Sequence, residues 1–173
     1  GDVYKRQGLD WPEPELRENT GEIEAAEKGQ LPYLIKLENL RGVFHNHTTA
    51  SDGKATLAEM AEAAQELGFQ YLGIADHSKS SFQANGLDAT RLRRQIETIR
   101  ELNQTFGSDF RIFAGSEVDI LKDGSLDFDD DLLSELDYVV ASVHSVFNLP
   151  EAEMTQRICL LYTSDAADEE DSV

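Results

Sequence analysis

Four short apolar runs, each separated from the next by a stretch of helical periodicity, constrain this chain more than any other feature. The runs are Val43–Asn46, Gln70–Ala75, Arg111–Ala114 and Tyr138–Val143. Between the first two, Thr56-Leu57-Ala58-Glu59 has the form of a capping box. Leu57, Met60, Ala61, Ala64 and Leu67 then recur on one helical face, and Gly68 is the stop. Between the second and third, Asp88 can cap a long helix through about Thr105. Leu92, Ile96, Ile99 and Leu102 form its apolar stripe and Gly107 its end. Val118–Leu121 is expected to extend the third strand past a kink, Asp123-Gly124 to turn, and Asp129–Leu136 to form a further helix. Pro150 opens a last helix.

Strands joined by crossover helices must run parallel, because a hairpin turn cannot reverse the chain twice over such a length. The βαβαβαβ order therefore predicts an α/β fold, and both a doubly wound sheet and part of a (β/α) barrel satisfy it. The unbroken apolar run Tyr138-Val139-Val140-Ala141-Ser142-Val143 predicts a strand buried on both faces.

Parallel α/β folds assemble their sites at the C-terminal ends of the strands. The first run here ends in His45-Asn46-His47, the second in Asp76-His77, the third in Gly115-Ser116-Glu117, and the fourth in His144. All four histidines of the chain, and one glutamate, thus fall on the same side of the sheet. Residues i and i+2 of a strand share a face, so His45 and His47 are predicted to point together, with Asp52 in the loop above them. Imidazole and carboxylate ligate zinc, manganese and iron. A glutamate can bridge two ions, and closely spaced ions suit phosphoryl displacement. Taken singly, each residue has an ordinary structural explanation: a turn for Asp52, a cap for Asp76, an ion pair for Glu117, a core imidazole for His144. Their joint placement does not. Lys79, Arg91, Arg93, Arg94 and Arg100 are read mainly as a solvated helix face, from which one or two could meet a phosphate.

The net charge of −19 argues against a chain that grips nucleic acid by charge alone, and is compatible with a cation-collecting site. One cysteine, Cys159, excludes an internal disulfide framework and a cysteine-based zinc site. No apolar run approaches the ~20 residues of a membrane span, and a cytoplasmic location is the default expectation. There is no Gly-x-Gly-x-x-Gly, no phosphate-binding Gly-Lys-Ser/Thr loop and no Gly-x-Ser-x-Gly.

The ends look foreign. Asp-Val-Tyr-Lys-Arg-Gln near the N-terminus can be encoded by GAT GTG TAT AAG AGA CAG. The reverse complement, one base out of frame, encodes Cys-Leu-Leu-Tyr-Thr, as found from Cys159 onward. Residues 1–7 and 159–173 are therefore expected to be adapter-derived artefacts flanking a genuine segment. Residues 8–40, rich in proline, glycine and glutamate, are expected to be a linker with a short helix near 21–28.

The motifs His45-Asn46-His47 with Ser51-Asp52-Gly53, Ala75-Asp76-His77-Ser78, Gly115-Ser116-Glu117 and Ser142-Val143-His144-Ser145 resemble the PHP (polymerase and histidinol phosphatase) domain. The likeness extends to the C-terminal PHP domain of bacterial and archaeal family X DNA polymerases, through Ala84-Asn85-Gly86-Leu87, Glu117-Val118-Asp119-Ile120-Leu121, Asp123-Gly124-Ser125-Leu126-Asp127 and Phe147-Asn148-Leu149-Pro150. Pro14-Glu15-Leu16-Arg17-Glu18 and Gly21-Glu22-Ile23-Glu24 resemble the linker from the polymerase core.

The resemblance implies that residues 41–158 are the N-terminal half of a distorted (β/α)7 TIM-like barrel with a trinuclear site of manganese or zinc, or of iron. It implies one metal on His45, His47 and Glu117, a second bridged by Glu117 and bound by His144, and a third to which Asp52 and His77 contribute. No catalytic side chain beyond a metal-bound water is implied. The implied activity is a metal-dependent 3′→5′ exonuclease that processes DNA ends in repair, with DNA as partner through the full-length polymerase. A histidinol-phosphatase-like phosphomonoesterase and a non-catalytic structural module are the alternatives. Val43 departs from the pattern, since many relatives carry aspartate there. The later barrel strands, with a further histidine and an Asp-x-His pair, are expected to be missing, as is the nucleotidyltransferase core. The fragment by itself is thus expected to be inactive, with an unpaired sheet edge.

Overall fold

A computed structural model describes residues 8–164. Segment 1–7, expected to be foreign, lies outside the described residues, as does most of 159–173. The chain divides into two compact units at Asn39/Leu40. In the first, the Arg17 guanidinium lies 4.3 Å from the Trp11 ring centre and its Nε donates to the Pro12 carbonyl. Helix α1, Glu22–Glu27, starts after Gly21, whose φ of 101° favours glycine.

The second unit holds four strands: β1 (Gly42–Asn46), β2 (Tyr71–His77), β3 (Arg111–Asp119) and β4 (Tyr138–Ser142). All pair in parallel in the order β1-β2-β3-β4. Helix α2 (Leu57–Glu66) connects β1 to β2, α3 (Ala89–Phe106) connects β2 to β3, and α4 (Asp130–Leu133) connects β3 to β4. Helix α5 (Glu151–Ser164) follows β4 and runs unbroken through position 158. This curled, parallel half-barrel with alternating helices is a partial (β/α) barrel. Among the described residues, no helix is long and apolar enough to cross a membrane.

The helix signals act as expected. Thr56 and Glu59 close a reciprocal capping box, and the Asp88 and Asp129 carboxylates accept from the third N–H of their helices. The core lies between the sheet and its helices: Leu72 and Ile74 of β2, Ile112, Ala114 and Val118 of β3, Ala61 and Ala64 of α2, and Leu92, Ile96 and Ile99 of α3. These strand residues alternate with others that face the concave side. Tyr71, Gly73, Ala75 and His77 do so on β2, and Phe113, Gly115, Glu117 and Asp119 on β3. Below the histidines, Phe44 packs against Tyr71, Phe113 and Tyr138, with ring centres 4.9–5.3 Å apart. Gly73 and Gly115 leave room for this aromatic layer, since a Cβ at Gly73 would lie 2.2 Å from Phe44 and one at Gly115 2.5 Å from the Tyr138 ring.

Four expectations are corrected. Strand β3 is continuous from Arg111 to Asp119 with no kink at Gly115, because its N-terminal part pairs with β2 and its C-terminal part with β4. Glu117 therefore sits inside a strand, two residues from its end. Helix α4 is one turn, not two. Strand β4 is not buried on both faces: it pairs only with β3 among the described residues, and Val139 and Ala141 are exposed.

Candidate metal centre

The six residues singled out in the sequence converge at the C-terminal mouth of the sheet, with Glu117 as the hub. Its Oε2 lies 3.1 Å from His45 Nε2, 3.3 Å from His47 Nε2 and 3.3 Å from His77 Nδ1, and its Oε1 lies 3.1 Å from His144 Nε2. Asp52 stands opposite, its Oδ1 3.1 Å from His47 Nδ1 and its Oδ2 3.7 Å from His77 Nε2. Three overlapping groups result, each with ligand atoms within 4.8 Å of one another: His45–His47–Glu117, His47–Asp52–His77 and His77–Glu117–His144.

Strand alternation does not bring His45 and His47 together as expected. The β1–β2 register slips between Val43 and Asn46, His45 adopts a left-handed φ of 62°, and His47 lies beyond the end of β1. A bulge of this kind re-aims side chains at a strand end. The strained His45 backbone is held by Tyr138, whose Oη accepts from His45 N at 3.4 Å and donates to the Ile74 carbonyl at 2.9 Å. Burial pushes the Tyr138 phenol up to about 12, so it remains a donor.

Electrostatics suits this donor set to a divalent cation. Burial pushes Glu117 upward, but the His45 hydrogen bond and the charges of His77, His144 and His45 outweigh it, and the carboxyl ends below its ordinary value. Burial is the largest influence on His77 and lowers it, which favours the neutral, ligating imidazole. His77 Nδ1 is buried and lacks a hydrogen-bond partner; its approach to Glu117 Oε2 is a contact without hydrogen-bond geometry. An orphaned ring nitrogen costs free energy unless something else uses its lone pair. Ligands about 2.0–2.1 Å from one tetrahedral ion stand roughly 3.3 Å apart, close to the spacings around Glu117 Oε2. The residues present therefore fit a metal.

Two buried carboxylates beside these six were not picked out as site residues from the sequence. Asp119, 1% exposed, accepts or shares a proton with His144 Nδ1 at 2.5 Å and accepts from Ser81 Oγ at 3.0 Å. It thereby orients the imidazole whose Nε2 meets Glu117, as carboxylates behind metal-ligating histidines do. The signal was present: Asp119 is two residues after Glu117 on one strand, and so on the same face. Asp76 faces the other way. It is fully buried and accepts from Thr48 N, Thr48 Oγ1, Ser51 Oγ and Gln95 Nε2. Those bonds pin the loop that carries Asp52 onto β2 and α3. The expected cap at Asp76 is instead this cross-element anchor.

A family model described as the PHP domain matches residues 44–169. The chain is 44% identical over 167 residues, 96% of its length, to the DNA polymerase/3′-5′ exonuclease PolX of Bacillus subtilis, of which the match covers 29%. It is 30% identical over 122 residues, 67% of its length, to the Clostridium acetobutylicum protein titled "Probable phosphatase", of which the match covers 43%. The chain thus spans less than half the length of these two relatives. The match over most of the strand-bearing unit carries every histidine and carboxylate of the centre, and on it the chain belongs to the PHP domain family.

Proposed function

We propose that this chain is part of a metal-dependent phosphoesterase that trims DNA 3′ ends as the 3′→5′ exonuclease domain of a family X polymerase. The observation that carries the reading is Glu117, which joins two of the three overlapping ligand groups, one oxygen facing His45 and the other His144. On this reading His45, His47 and Glu117 would hold one divalent ion, Glu117 and His144 a second, and Asp52 and His77 would contribute to a third. The remaining ligands and the rest of a seven-stranded barrel belong to the longer protein. Manganese or zinc is the expected occupant, given nitrogen and carboxylate donors without thiolate. Such ions lower the pKa of water and neutralise charge on a phosphoryl group. The chain's own contribution is positional: Asp119 fixes the His144 ring, Tyr138 holds the His45 backbone, and Asp76 anchors the Asp52 loop.

The identity to a protein titled as a polymerase and 3′-5′ exonuclease supports DNA as the substrate and partner. The likeness to a titled phosphatase supports a second reading, hydrolysis of small phosphomonoesters on the same centre. The test is manganese-dependent nuclease activity of the purified full-length protein on a 3′-recessed duplex. His47→Ala and Glu117→Ala should each abolish it, and unchanged activity in either would refute the site. Turnover of histidinol phosphate with none on DNA would favour the second reading.

A further inference from the structure

We infer that Phe82 is the surface on which the terminal nucleobase of the DNA end stacks while its phosphodiester lies at the metal centre; the inference rests on the DNA-end reading above. Phe82 opens the single 3₁₀ turn Phe82–Ala84 after β2 and is 80% exposed. It lines a cleft of about 350 Å³ shared with His77 and His144, two of the six centre residues. That volume falls at the small end of ligand sites, the size of one nucleotide rather than a longer segment.

The turn that carries Phe82 is fixed to the centre. Ser81 Oγ donates to Asp119 Oδ2 at 3.0 Å and lies 3.3 Å from His144 Nδ1. Asn85 ends the turn in a left-handed conformation, φ 55°, and its amide donates to the Ala50 carbonyl of the Asp52 loop at 3.0 Å. The aromatic ring is therefore held at a set position relative to the ligand groups, not on a loose loop.

Beside Phe82 and Ala84, the lining includes the polar side chains of Ser80, Ser81, Gln83 and Ser145. An apolar protein element covering Phe82 would bury these groups without partners, at a cost. A nucleotide offers a flat π-face for the ring and polar edges for the hydroxyls and amide. Among the described residues, no lysine or arginine lines the cleft. For the uncharged base, stacking on an aromatic ring is the attraction this cleft offers, and it accepts any base.

The test compares two single-stranded oligonucleotides, one with an ordinary 3′-terminal nucleotide and one with a terminal abasic nucleotide, using full-length protein and manganese. Phe82→Ala should lower kcat/KM on the ordinary end about tenfold or more, and leave the abasic end within about twofold of wild type. Phe82→Trp should restore the ordinary end. An unchanged rate on the ordinary end, or an equal loss on both, overturns the assignment while wild-type cleavage and a dead Glu117→Gln variant leave the DNA-end reading standing. If wild type cleaves neither oligonucleotide, or Glu117→Gln cleaves as wild type does, the DNA-end reading fails and the base assignment falls with it.

Discussion

Replacing Asp76 with alanine removes a fully buried carboxylate that four donors share. Its Oδ1 accepts from Thr48 N at 2.8 Å and Ser51 Oγ at 2.5 Å, and its Oδ2 from Thr48 Oγ1 at 2.7 Å and Gln95 Nε2 at 2.5 Å. The two hydroxyls are not left bare. Ser51 Oγ lies 3.3 Å from a second acceptor, Asp52 Oδ1, and Thr48 Oγ1, though its O–H loses its acceptor, still accepts from Ala50 N at 3.1 Å. The Thr48 N–H and the Gln95 amide are each left buried and unpaired at about 1–3 kcal/mol. The expected loss is about 2–6 kcal/mol, a large part of the ~5–15 kcal/mol available to a domain.

The same change releases the loop that carries Asp52, so manganese affinity should fall about 10–100-fold. Asp76→Asn should cost less. Rotation of the Gln95 amide would bring its partnerless Oε1 against the new amide. Urea unfolding of the metal-free protein and manganese titration by calorimetry read the two effects separately. A loss below about 0.5 kcal/mol, the level of an ordinary surface substitution, together with unchanged manganese affinity, would refute the anchoring argument.

Two further outcomes are expected. Arg157, 2% exposed on α5, donates to the carbonyls of Ile120, Leu121 and Ser145; Arg157→Met strips the Ile120 and Ser145 carbonyls of that partner and should cost about 2 kcal/mol or more in urea unfolding, and a neutral result would show α5 not to be clamped there. Tyr138 binds its proton more tightly folded, about 12, than at its ordinary 10.0, so its contribution is whole below pH 10 and is lost as pH rises toward 12. Unfolding midpoints should therefore fall across that window in wild type and more shallowly in Tyr138→Phe, and identical slopes would contradict the burial of the phenol.

Local signals determined much of this protein before any coordinates. The capping box at Thr56, the caps at Asp88 and Asp129 and the stops at Gly68 and Gly107 are backbone chemistry confined to a turn, so short stretches of sequence suffice to read them. Parallel order followed from the alternation of strand and helix, and the gathering of four histidines and Glu117 followed from the common direction of parallel strands. Tertiary structure alone decided what depends on pairing between distant strands. The stagger that sets Glu117 inside β3, the bulge and left-handed His45 that turn His45 and His47 onto one carboxylate oxygen, and the exposure of β4 at the sheet edge are such cases. So is the division of labour between neighbours Asp76 and His77. One strand turns them to opposite faces, the carboxylate to the helices and the imidazole to the centre, and the partners that await each come from segments as far away as Thr48 and Glu117.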